Sequence, residues 1–303
     1  MTRHYAIVEA PSVLGLKPTG VERLPDALLD TGLADRIGAR RAGRVEPPPY
    51  DPHRDDVTRM LNPRAIAAFS SALADVVGGV VDAREFAVVL GGDCTIILGE
   101  MLALRRRGRY GLLFVDGHAD FYQPSANING EAASSDLAFV TGRGPSVLTR
   151  FDGLSPLVRD EDVVVLGFRD EEEQRQYGSQ PLPPAIRAID LAELRRMGAA
   201  SAARAAVAHI ARHDDVAGFW VHVDADVLDD DLMPAVDYRQ PDGLSFDELA
   251  DVLGVALAHD KAVGVDVTIY NPALDPKGSA GRALAEVLAR SLLAPATTRS
   301  AGA

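Results

Sequence analysis

VVLGGDCTIILGE, residues 88–100, decides the fold. An apolar run without alternation strikes two glycines and an aspartate, then resumes with helical spacing. That pattern reads as a strand buried on both faces turning into a helix. The corner residue, Cys94, is the chain's only cysteine and is expected to point out of the sheet. Similar apolar runs recur at YAIVEA (5–10), GLLFVD (111–116), DVVVLGF (162–168), GFWVHVD (218–224) and AVGVDV (262–267). Helical patterns lie between them, near 63–79, 95–107, 191–212, 245–258 and 279–293. Pro63 stands at a helix start, and Ser245 with Glu248 has capping-box spacing. Strands alternating with helices predict βαβ units and a parallel α/β sheet.

The chain has 303 residues, 47% of them hydrophobic and 25% charged, which is ample material for a large core. RAGRVEPPPYDPHRDD (41–56) has the composition of a linker, but the same alternation continues beyond it. A surface loop within one domain over 1–303 is therefore expected. The formal net charge is −13, with dense acidic runs at 169–173 and 224–231. Such a surface repels nucleic acid and anionic membranes, which are excluded as partners. One cysteine forms no internal disulfide, which suits a reducing cytoplasm. The stretch MTRHYAIVEAP is too short and too interrupted for a signal peptide. No apolar run approaches the roughly 20 residues that a bilayer-crossing helix needs.

Ligands of open α/β sheets bind at the carboxyl ends of strands. Three such ends carry unusual side chains: GGDC (91–94), VDGHADF (115–121) and HVDADVLD (222–229). Asp116, His118 and Asp120 follow D-x-H-x-D spacing, and Asp224 and Asp226 follow D-x-D. Alternate residues of an extended chain face the same way, so each set can converge. Four carboxylates that close repel one another unless cations neutralise them. Carboxylate oxygens with one imidazole suit Mn²⁺, and four carboxylates are more than one ion needs. Two ions a few ångström apart can hold and deprotonate a water between them. His222 shares a face with Asp224 but sits deeper, as a hydrogen-bonded core histidine would.

These motifs as a set resemble the arginase, or ureohydrolase, family. The resemblance runs from KPTGVERLPDALLDTGLADRI (17–37) through GGDC, DGHAD, NING (127–130), LGFRD (166–170) and VDADVLD to YNPALD (270–275). It implies a three-layer α/β/α sandwich with a central parallel sheet. It also implies a binuclear Mn²⁺ site that hydrolyses a C–N bond of a guanidino, amidino or related small molecule, in a homotrimer or homohexamer. Carried across by position, Asp116 and Asp224 bridge the ions, and His118 and Asp226 complete one shell. Asp120, the expected proton carrier, completes the other with Cys94. Asn127, Asn129 and Glu172 fall at substrate-binding positions.

Three departures bear on activity. Cys94 stands where the family has histidine. A soft thiolate matches Mn²⁺ poorly, so that site is expected to be weaker or to take Zn²⁺, Fe²⁺ or Co²⁺. An inert buried thiol, or a nucleophile with His118 as its base, are the other readings. Asn129 replaces the histidine that shuttles protons in the arginases, leaving Glu131 as the substitute or as a plain loop carboxylate. Ile269 replaces the glutamate that pairs with the guanidinium. Plain arginine is therefore not the expected substrate. An impaired member serving in binding or assembly is the non-catalytic alternative.

Overall fold

The structure, a computed structural model, describes residues 3–294. Eight parallel strands form one sheet: β1 (Tyr5–Ala10), β2 (Arg40–Arg44), β3 (Phe86–Gly91), β4 (Tyr110–Val115), β5 (Val163–Leu166), β6 (Arg187–Ile189), β7 (Gly218–Asp224) and β8 (Ala262–Thr268). Their order is β2-β1-β3-β8-β7-β4-β5-β6. The central strands are buried on both faces, as their unbroken apolar runs predict. Val88 and Leu90 face one core, Ala87 and Val89 the other. The helices Pro63–Asp82, Ile97–Arg105 and Asp136–Val140 cover one face. Leu191–Met197, Ala199–Ile210, Phe246–Ala258 and Ser279–Leu292 cover the other. The result is the expected three-layer α/β/α sandwich.

All six expected strands are present, and the two that were not anticipated are the sheet edges. β2 reads RRAGR and is largely exposed, and β6 has three residues. Short, charged edge strands bury too little to leave an apolar run, and they blunt edge-to-edge pairing. The single helix expected near 191–212 is two, parted at Gly198 with φ 80°. The capping box forms as expected, with the Ser245 side chain accepting from the Glu248 amide and Glu248 accepting from the Ser245 amide. One helix, Pro63–Asp82, is long and apolar enough by length and composition to cross a membrane. That corrects the expectation that no such run exists. Its buried residues Ile66, Phe69, Leu73 and Val77 recur every three to four positions against the sheet, as in a core helix.

β3, β8, β7 and β4 lie side by side at the centre of the sheet. Parallel pairing puts their carboxyl ends at one edge, where GGDC, TIYNP, HVDAD and DGHAD leave the sheet together. Residues far apart in sequence therefore reach one place.

Candidate metal centre

At the end of β3 the chain must turn tightly past the β1 loop. A Cβ on Gly92 would lie 1.8 Å from the Ser12 carbonyl oxygen, so only glycine fits. Asp93 then caps the following turn, accepting from the Thr95 amide at 2.9 Å and the Ser12 hydroxyl at 2.6 Å. Cys94 opens that turn and is 1% exposed. Its thiol donates to Asp224 Oδ2 at 2.9 Å and lies 3.0 Å from Thr268 Oγ1.

The acidic motifs converge by turning rather than by strand alternation. Asp116 Oδ1 accepts the His118 amide at 2.6 Å, and Asp224 Oδ1 accepts the Asp226 amide at 2.7 Å. Each aspartate bonds the backbone two residues on, which folds both motifs back on themselves. A Cβ on Gly117 would sit 2.7 Å from the Asp226 carbonyl oxygen, so glycine also lets the two motifs touch. His118 Nδ1 lies 3.0 Å from Asp226 Oδ2 and 3.7 Å from Asp116 Oδ1. Asp120 takes a positive φ of 44°, uncommon outside glycine but tolerated by aspartate.

A cavity of about 310 Å³ opens onto this cluster, with Cys94, His118, Asp120, Asp224 and Asp226 in its wall. Asp116 lies just behind, with no exposed surface. Asn127 and Asn129 also reach the cavity. Asn127 is committed to the loop, its Nδ2 donating to the Glu131 carbonyl at 2.7 Å and its Oδ1 accepting from the Gly130 amide at 2.8 Å.

Two anticipated residues lie elsewhere. Glu131 is 2% exposed and outside the cavity wall, held by the Tyr238 hydroxyl, the Asn129 amide group and, at 3.3 Å, the Lys17 backbone amide. Its carboxylate is thus engaged by Tyr238 and Asn129, both of which reach the cavity wall. Glu172 also lies off the cavity, with its side chain 84% exposed and paired to Arg175. Farther along the same helix, Glu173 and Tyr177, one and five positions on, reach the wall in its place. Helical periodicity decides which residue of an acidic run faces inward, and one position shifts direction by about 100°. Tyr122, Tyr238 and Asp136 were not singled out from the sequence. They sit in loops or a short helix without periodic signal.

Electrostatics set this cluster apart from a surface acidic patch. Burial, then the neighbouring Asp226, raises the Asp116 carboxyl from 3.8 to about 6. Burial and then Asp116 push Asp120 well above the carboxylate range, and burial with Asp226 does the same to Asp224. Burial opposes charge on His118, yet Asp226 and Asp116 hold its pKa well above the ordinary value. Burial likewise opposes charge on Asp226, but His118 holds its carboxyl low. The Cys94 thiol is driven well up by burial, then by Asp224 and Asp136. Its partners are Asp224 and Thr268, not His118. The thiol is therefore not paired with His118, the base that the nucleophile reading requires.

Donor atoms of Asp116, His118 and Asp226 lie within 4.8 Å of one another. Asp116 Oδ2 is buried without a hydrogen-bond partner. A buried carboxylate with an orphaned oxygen, an imidazole and like charges beside them is what a divalent cation satisfies. The donor set fits a metal.

Residues 6–294 match the model of the arginase family. The chain is similar to an arginase of Brevibacillus brevis, 27% identical over 291 residues, covering 93% of this chain and 95% of that one. The solved arginase of Bacillus caldovelox superposes with a TM-score of 0.84 at 24% identity, covering 96% of this chain and 98% of that one. The agmatine ureohydrolase of Thermoplasma volcanium shares the fold with a TM-score of 0.69 at 18% identity, covering 96% and 90%. With a family match along nearly its whole described length and the same architecture, the chain belongs to the arginase family.

Proposed function

We propose that this chain is a metal-dependent hydrolase of a C–N bond in a small guanidino or amidino compound, working as one catalytic domain within a homo-oligomer. The observation that carries this reading is the convergence of Asp116, His118 and Asp226, with an orphaned Asp116 oxygen, beside a cavity of substrate size. Asp116, His118, Asp224 and Asp226 would hold one ion, and Asp120 and Cys94 would serve the second. Mn²⁺ fits the oxygen-rich end, and Cys94 favours a softer ion at the other. When bound, the ions supply Lewis acidity and acidify water at neutral pH.

The chain's own residues do the rest. Asp120, in the cavity wall, would take a proton from water and return it to the departing nitrogen. Asn129 and Tyr238, braced by Glu131, line the approach. Ile128, Tyr177 and Tyr238 bring apolar surface to the cavity. Ile269, 5% exposed, lines the cavity at the position where the family resemblance has the glutamate that pairs with a guanidinium. It holds a φ of 69°, a strained value for a β-branched residue, and such strain concentrates at functional sites. We infer that arginine is turned over poorly and that the preferred substrate is a less cationic or otherwise modified relative. A free cysteine agrees with a cytoplasmic setting.

The test is metal analysis of the purified protein together with urea- and ammonia-release assays over guanidino and amidino compounds. Metal-dependent release from at least one of them is expected. Metal bound with no release from any compound would favour a binding or assembly role. No metal uptake would end the hydrolase reading.

A further inference from the structure

Behind the cavity lies a second group of side chains that the reading above does not use. His222, on β7, has no exposed surface. Its Nδ1 lies 2.6 Å from Asp266 Oδ2, and Asp266 Oδ1 accepts the Trp220 indole at 2.6 Å. That arrangement holds the ring by one nitrogen and leaves Nε2 without a partner. Asp136, also with no exposed surface, has neither carboxylate oxygen in a well-formed hydrogen bond. Cys94 is the third member, and one donor atom from each of Cys94, Asp136 and His222 lies within 4.8 Å of the others.

Two fully buried polar groups left open toward one another, beside a thiol, cost folding free energy unless something fills the gap. Asp266 on the far nitrogen is the usual outer partner of a metal-ligating histidine, since it fixes the ring and makes it a better donor. Sulfur, nitrogen and carboxylate oxygen together suit zinc better than manganese or magnesium.

We propose that Asp136 and His222 complete, from beneath the cavity, the shell of the ion held by Cys94, making that end of the centre a zinc-type site of sulfur, nitrogen and oxygen donors. The inference rests on the hydrolase reading for the presence of metal and adds ligands from the sheet core. The Cys94 proton leaves to solvent as the thiolate binds. The centre is then asymmetric. Asp116, His118 and Asp226 would hold one ion at the cavity, and Cys94, Asp136 and His222 would hold the other.

The test loads the full-length protein with Zn²⁺ alone and measures stoichiometry and X-ray absorption. Two ions per chain are expected, with one sulfur scatterer at about 2.3 Å and imidazole at both ions, one ring per zinc on average. Asp136→Asn and His222→Gln should each lose one equivalent together with the sulfur signal, while Asp120→Asn keeps the sulfur signal. Two ions with a sulfur scatterer but one imidazole per two zincs would overturn the proposal, because Asp120 and Asp224 would then complete the Cys94 shell. That reading uses wild type, so it stands even if a core variant fails to fold. One ion without sulfur would also overturn it while leaving the hydrolase reading intact. No uptake at all would overturn both.

Discussion

Two clusters at the same sheet edge handle charge differently. The outer one, Asp116, His118 and Asp226, meets the cavity, and its histidine side chain is 15% exposed. Its members hydrogen-bond one another's backbones and ring, so most of its polar atoms are satisfied internally. The inner one, Cys94, Asp136 and His222, has essentially no exposure and leaves oxygens and a ring nitrogen open. The outer cluster was written into two compact motifs. The inner one draws one residue from each of three distant segments. Short acidic motifs announce the part of a site built by local turns, whereas the part built by packing has no local signature.

The largest expected effect breaks the outer cluster. Asp116→Ala should abolish stabilisation by added Mn²⁺, which for the intact protein reaches roughly 2.7 kcal/mol at 100 times Kd. Thermal melts with and without metal check this, and an undiminished metal-induced shift would show that Asp116 is no ligand.

Next comes the cavity wall. If Ile269 is what withholds a partner from the guanidinium, Ile269→Glu should raise kcat/KM for arginine. A charge-assisted pair is worth about 1.5–3 kcal/mol, or roughly 10- to 100-fold. Urea release measures it, and brisk arginine turnover by the wild type would remove the premise.

A smaller effect separates the clusters directly. At neutral pH, Asp136→Asn removes a carboxyl whose charged form is disfavoured by burial and then by Asp116. The metal-free variant should therefore be more stable than wild type by about 1 kcal/mol, a few degrees in Tm. With Zn²⁺ present the order should reverse. A variant less stable in both states would mean that Asp136 makes a structural bond.

The pH response of the metal-free protein tests the outer cluster in a different way. Asp116 titrates at about 6 when folded against 3.8 ordinarily, so the folded state binds more protons between those values. Its contribution is fully present below about 4 and lost as pH rises through about 6. His118, also raised, acts in the same sense but only above its ordinary 6.5, and Asp226, lowered, acts only below 3.8. The metal-free Tm should thus fall from pH 4 to 6. Metal-loaded protein should respond in the opposite sense, because ligands bind metal deprotonated. Parallel melts across that range decide it.

Period and punctuation in the sequence by themselves determined the six inner strands, the main helices and the carboxyl-end placement of GGDC, DGHAD and HVDAD. Long buried runs and glycine corners are local properties, read without knowing what packs against them. The edge strands β2 and β6 carry no such run, because an edge buries little. Long-range packing sets Glu173 toward the cavity and Glu172 toward solvent. It also decided that Glu131 braces Tyr238, and that Asp136 meets His222 behind Cys94. Those outcomes depend on helix phase and on which strands become neighbours. β3 and β4, consecutive in the chain, end up separated by β8 and β7, and that long-range pairing is what brings Cys94 to Asp224.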